Sequence, residues 1–207
     1  MLWIITGSIG SGKSQFARRL AESVGKDGIL IDCAAFPSPA GVRGKPATRA
    51  TARSGSAFQW LHAEADVSLA AKLRSVNRES NPFVADRHVL VVDSLSGWLR
   101  KAIGDARTQG VTIEEAQASV ADALAEVADE LLAYQGKLIV VAEEPAAGLG
   151  IEEWELWYAY RLAGAIRELS ERSRAVYRLT AGIATEVRGY RVKREDYQDE
   201  NLYKDGR

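Results

Sequence analysis

Residues 6–17 read TGSIGSGKSQFA and stand directly behind the apolar run Leu2-Trp3-Ile4-Ile5. The stretch fits G-x-x-x-x-G-K-[ST], with Gly7 and Gly12 followed by Lys13 and Ser14. Its surroundings give the pattern meaning. A short β-rich run precedes it, and Phe16, Leu20 and Val24 recur every four residues after it, which predicts a helix beginning near Lys13. A Gly/Ser loop matching by chance has no reason to fall between a strand and a helix.

Such a turn is a phosphate cradle, or P-loop. Glycines bring successive N–H groups close to phosphate oxygens, and the helix N-terminus adds partial positive charge. Gly7, Ser8, Ile9, Gly10, Ser11, Gly12, Lys13, Ser14 and Gln15 are therefore the expected nucleotide-binding residues. Lys13 is expected to reach the β- and γ-phosphates, and the Ser14 hydroxyl to bind Mg²⁺.

Apolar runs at 2–6, 29–32, 89–93 and 138–142 show little polar alternation, as expected for parallel strands covered on both faces. Helical patterns separate them. The clearest opens at Thr112 with a capping box to Glu115, continues through Ile113, Val120, Leu124, Val127 and Leu131, and stops at Gly136. A second helix over 151–174 carries Trp154, Trp157, Tyr158, Leu162, Ile166 and Leu169, a stripe read as packing, with a subunit interface as the other use. Residues 176–180 and 183–187 read as two strands in an antiparallel hairpin. The fold class is thus α/β: a P-loop NTPase with a RecA-like, mostly parallel sheet, helices on both faces and a C-terminal edge hairpin. Ligands are expected outside the carboxyl ends of the strands.

That rule selects the carboxylates. Asp93 ends the run Val89-Leu90-Val91-Val92 like a Walker B acid and is the metal candidate with Ser14; its bland role is to cap a helix over 94–101. Asp32 ends the second run and is the candidate proton acceptor, with a structural role as the other reading. Glu143 and Glu144 end the fourth run, and one of them is expected to touch substrate or metal. Between Cys33 and Ala63 there is no acidic residue, whereas Arg43, Lys45, Arg49 and Arg53 recur. This reads as a lid or anion clamp, or else as a surface loop with incidental charge. His88 is read as structural, and His62 as lying on a helix surface.

With 207 residues, 27 basic against 28 acidic side chains and a net charge of −1, one domain over 1–188 is expected and nucleic acid is not indicated as a partner. Residues 189–207 read as a charged tail. Cys33 is the only cysteine, so no internal disulfide forms. A reducing, cytoplasmic setting is expected, and the apolar start is too short for a membrane span.

Taken together, these residues resemble the adenosylcobinamide kinase/adenosylcobinamide-phosphate guanylyltransferase family of cobalamin biosynthesis. IITGSIGSGKSQFARRL is similar to its opening strand, P-loop and helix, and HVLVVDSLSGWL to its LVDCLTLWL-type segment. VAEEPAAGLGI with RLAGAI looks like its SNEVGxGxVP…G block, and LTAGIATEVRG like its closing VAGLPLxLKG. The resemblance implies phosphorylation of the aminopropanol hydroxyl of a corrinoid by ATP or GTP with Mg²⁺, transfer of GMP through a guanylylated histidine, and self-association into a homo-oligomer. From the strand ends, the P-loop and the basic loop, Lys13, Asp32 and Asp93 are the expected catalytic residues, and Arg49, Arg53 and Glu144 the expected substrate contacts.

The chain departs from the family in TARSGSAFQW, where Thr51 stands on the histidine's position. A phosphate ester on threonine is a far poorer donor than a phosphoramidate. The kinase half is therefore expected, with guanylyl transfer weakened, lost or carried by another nucleophile such as His62. Two other readings remain open: a nucleotide-binding regulator or scaffold, and a P-loop kinase of another small molecule.

Overall fold

The apolar run before the glycine loop forms β1 (Leu2–Gly7), buried along its whole length. The chain is described from a computed structural model covering residues 1–33, 58–79, 87–108, 112–145 and 152–187. Six further strands join β1: β2 (Asp27–Asp32), β3 (Gln59–Glu64), β4 (His88–Asp93), β5 (Lys137–Val141), β6 (Ala175–Thr180) and β7 (Ile183–Glu186). Their order is β3-β2-β4-β5-β1-β6-β7. Every pairing is parallel except that of β6 with β7. One strand, β5, thus separates the P-loop strand from the Asp93 strand, the RecA-like arrangement expected from the sequence.

Because side chains alternate along a strand, the central strands feed two cores. Leu2, Ile4, Leu90, Val92, Leu138 and Val140 face one side, where they meet α2 (Leu69–Glu79), α3 (Leu95–Arg107), α4 (Ile113–Ala133) and α5 (Glu153–Arg172). Trp3, Ile5, Val89, Val91, Ile139 and Val141 face the other, under α1 (Lys13–Val24). Ala17 and Ala21, both 0% exposed, let α1 approach the sheet closely, and Phe16, Leu20 and Val24 flank them. Burial of both faces explains why these strands read as unbroken apolar runs.

The capping box at Thr112 is present, with the Glu115 N–H donating to Thr112 Oγ1 at 3.2 Å and the Thr112 N–H donating to Glu115 Oε2 at 3.0 Å. Val120, Leu124, Val127 and Leu131 are buried as expected, whereas Ile113 stays exposed in the first turn. On α5, Tyr158, Leu162 and Leu169 are buried, and Trp154, Trp157 and Ile166 pack against the same core. The packing reading of that stripe holds. The expected hairpin is present, turning at Ala181 and Gly182.

One expectation is overturned. His62 lies not on a helix but within β3, the edge strand, paired in register with Leu30. The sequence QWLHAE has no β-branched residue and only a brief apolar alternation from Leu61 to Glu64, so parallel pairing with β2 decides its conformation. The basic loop, apart from Cys33 and residues 58–63, and the charged tail lie outside the described residues; 59–63 belong to β3. No helix among the described residues is long and apolar enough to cross a membrane.

Candidate functional site

The loop between β1 and α1 carries the first half of the site. Gly10 (φ 74°) and Gly12 (φ 94°) take left-handed conformations that side chains resist. The Ser11 N–H donates back to Ser8 O at 3.2 Å, closing the turn. Gly12 is the N-cap of α1, no side chain caps it, and no acidic residue occupies the first turn. The first helical N–H groups are thereby left for an anion.

Lys13 is only 7% exposed. Its Nζ arcs over the loop to donate to Ser8 O at 2.7 Å. Burial pulls its pKa below the usual lysine value, against the opposing charges of Glu143, Asp93 and Glu144. Ser8, Ile9 and Gly10 are exposed at the loop's tip, and Ser14 and Gln15 are exposed on the first turn of α1. The buried Ser11 hydroxyl has no hydrogen-bond partner among the described residues.

The second half comes from the carboxyl ends of β4 and β2. Burial raises the pKa of the Asp93 carboxylate, and the nearby Ser14 hydroxyl opposes that shift. Asp93 is not the helix cap. Ser94 holds that position on α3, accepting from the Gly97 N–H at 3.1 Å, so the Asp93 carboxylate is left to the cleft. Asp32 lies beside Asp93 in the β2–β4 register and is exposed. Cys33 follows, its backbone N–H on Asp93 O at 2.8 Å; burial and the two carboxylates push its thiol pKa well up.

A hydroxyl and a carboxylate oxygen are hard donors of the kind Mg²⁺ prefers. That ion takes one or two protein oxygens and fills the rest of its shell with water and phosphate. Among the described residues no group of three or more His, Cys, Asp or Glu could hold a metal. Ser14 and Asp93 therefore fit a magnesium that arrives with a nucleotide, not a site closed by protein alone.

The third component follows β5. Glu144 has three contacts: its N–H donates to Gly7 O at 3.1 Å, Thr6 Oγ1 lies 3.3 Å from one carboxylate oxygen, and Arg178 donates to the other at 2.8 Å. It ties β5 to β1 and β6 next to the P-loop. Glu143 differs. Its N–H donates to Ser96 Oγ at 3.1 Å, while burial raises the pKa of its half-buried carboxylate against the charges of Lys13 and Arg100.

Sequence reasoning missed several of these residues. Ser96 and Arg100 sit on an otherwise apolar helix face, and Arg178 lies in a strand taken as framework. Gly182, in the hairpin turn, donates its N–H to Ser11 O at 3.1 Å and so props the P-loop. Of these, only the Ala-Gly turn had a local signal. Arg49 and Arg53, like Arg43, Lys45 and Thr51, lie outside the described residues. His88 contacts the Asp27 carboxylate at the opposite end of the sheet, which agrees with a structural role.

A family model described as cobinamide kinase / cobinamide phosphate guanyltransferase matches residues 3–187. Comparison with curated proteins finds no match.

Proposed function

The chain belongs to the cobinamide kinase / cobinamide phosphate guanyltransferase family, and we propose that it acts as the kinase, moving the γ-phosphoryl group of ATP or GTP onto the aminopropanol hydroxyl of a cobinamide. Family membership implies nucleotide and corrinoid substrates and a place in cobalamin biosynthesis. The observation that carries the kinase reading is the meeting of Ser14 and Asp93 below a P-loop whose helix N-terminus is uncapped.

In this reading the N–H groups of the loop hold the phosphates and Lys13 swings from Ser8 O to the β- and γ-oxygens. Ser14 and Asp93 hold Mg²⁺, which when bound neutralises charge on the transferred group. Asp32 supplies a second carboxylate on the metal's side of the cleft. Glu144, with Thr6 and Arg178, braces the loop. The single domain, the corrinoid contacts of Arg49 and Arg53, the homo-oligomer and a cytoplasmic location remain parts of the proposal.

Guanylyl transfer has weaker support. His62 is exposed on β3, four strand spacings from β1, or about 19 Å at about 4.8 Å per strand. That is far from a phosphate held at the P-loop. The test is incubation with cobinamide and either γ-labelled ATP or α-labelled GTP. Label passing to the corrinoid from the γ-position, with no acid-labile α-label on the protein, supports the reading. Nucleotide retention without any transfer would instead favour a regulatory binding protein.

A further inference from the structure

We propose that Glu143 is the proton acceptor for the attacking hydroxyl, placed there by its strand between the P-loop strand and the Asp93 strand. This rests on the kinase reading above and adds a catalytic residue to it.

The topology is the first reason. Glu143 follows β5, which is hydrogen-bonded to β1 on one side and β4 on the other. It thus emerges one strand, about 4.8 Å, from the strand that launches the phosphate loop, whereas Asp32 ends a strand three spacings away, about 14 Å. The neighbours agree. The charges acting on Lys13 are those of Glu143, Asp93 and Glu144, and Asp32 is not among them. Since Lys13 is the group that meets the γ-phosphate, a carboxylate beside it lies where a nucleophile must arrive.

Availability is the second reason. Glu144 has one oxygen on Thr6 and the other on Arg178, and the Asp93 carboxylate has the Ser14 hydroxyl beside it. The Glu143 carboxylate has no hydrogen bond or ion pair among the described residues, although its backbone is pinned. Its N–H donates to Ser96 Oγ, which is 0% exposed and itself within 2.9 Å of Ser94 Oγ. A fixed stem with a free head is what a proton acceptor needs. Arg100, one turn beyond Ser96, faces the same carboxylate. Its guanidinium is held by Glu155 at 2.9 Å and stacks 4.0 Å over the Tyr158 ring. Arg100 is a positioning residue whose charge, with that of Lys13, opposes the upward pull of burial on the Glu143 carboxyl.

The step balances. The acceptor oxygen forms a bond to the γ-phosphorus as its proton passes to a Glu143 oxygen. The bond from that phosphorus to the β,γ-bridging oxygen breaks, leaving nucleoside diphosphate, and Glu143 later returns the proton to water.

The experiment follows two rates, phosphoryl transfer to cobinamide and the slow transfer to water in its absence, in the wild type, Glu143→Gln, Glu143→Ala and Asp32→Asn. Nucleotide affinity is measured by equilibrium dialysis. The expected result is that Glu143→Gln lowers kcat by about 100-fold or more, that nucleotide Kd stays within about threefold, and that added formate restores part of the Glu143→Ala rate. A merely structural role would not respond to formate. Glu143→Gln within about threefold of wild-type kcat would overturn the proposal, as would a larger loss in Asp32→Asn than in Glu143→Gln. If the wild type gives no cobinamide phosphate, the substrate reading fails by itself, and Glu143 is judged on the transfer to water.

Discussion

Ser14, on the first turn of α1, lies close enough to the Asp93 carboxylate at the end of β4 for its hydroxyl to oppose the rise in pKa that burial causes there. These residues are 79 positions apart in a 207-residue chain.

If that pair holds magnesium, Asp93→Asn removes the charged ligand while keeping its shape. Phosphoryl transfer should fall by about 100-fold or more, the scale for losing one preorganised electrostatic contact. Nucleotide retention should lose its magnesium dependence. Dialysis with and without the ion reads this directly, and unchanged magnesium dependence would exclude Asp93 as a ligand.

Lys13→Met keeps the aliphatic stem and removes the charge. Triphosphate retention should vanish. The ligand-free protein should be as stable as wild type or more so at neutral pH, because burial disfavours the charged amine. The sign is fixed by linkage: the folded-state pKa lies below the unfolded value, so the unfolded state binds more protons in between. Wild-type stability should therefore rise relative to Lys13→Met as pH climbs from that lowered pKa towards 10.5. Urea titrations across the alkaline range test this.

Gly7→Ala strains both backbone and packing. Gly7 has φ 145°, and an added Cβ would lie 2.4 Å from Leu179 O and 2.8 Å from Ser11 Oγ. The backbone conformation alone is worth about 1–3 kcal/mol, and the close approach to a main-chain oxygen adds to it. Gly10→Ala meets nothing within 4 Å and should cost only the left-handed conformation, about 1–2 kcal/mol. Denaturation midpoints of the two variants should rank in that order.

Arg178→Ala should barely affect folding. The pair with Glu144 is open to solvent, with side-chain exposures of 60% for Arg178 and 36% for Glu144. An ion pair of this kind contributes about 0–1 kcal/mol. Its effect should appear in nucleotide affinity, through a looser brace under the P-loop. A large drop in thermal midpoint with unchanged affinity would reverse that assignment.

Much of this architecture was legible in the chain. The run before Gly7, the spacing of Phe16, Leu20 and Val24, the acid after Val92 and the Thr112–Glu115 box are local signals whose physics acts within a few residues. β3 was not legible, because QWLHAE becomes a strand only by pairing with β2. Arg100 and Ser96 were hidden for a related reason: a polar side chain on a buried helix face is recognised only once its partner is in place.

The sequence by itself therefore determined the phosphate cradle, the parallel α/β class and the acids that close its strands, since periodicity, glycine and charge act locally. Tertiary structure alone decided where each acid stands. Strand order set Glu143 between the two motif strands, gave both oxygens of Glu144 to Thr6 and Arg178, and left Asp32 at a distance. Neighbourhood in a sheet depends on how strands are ordered, and that order is settled by burying both faces of the sheet at once, not by any short stretch of chain.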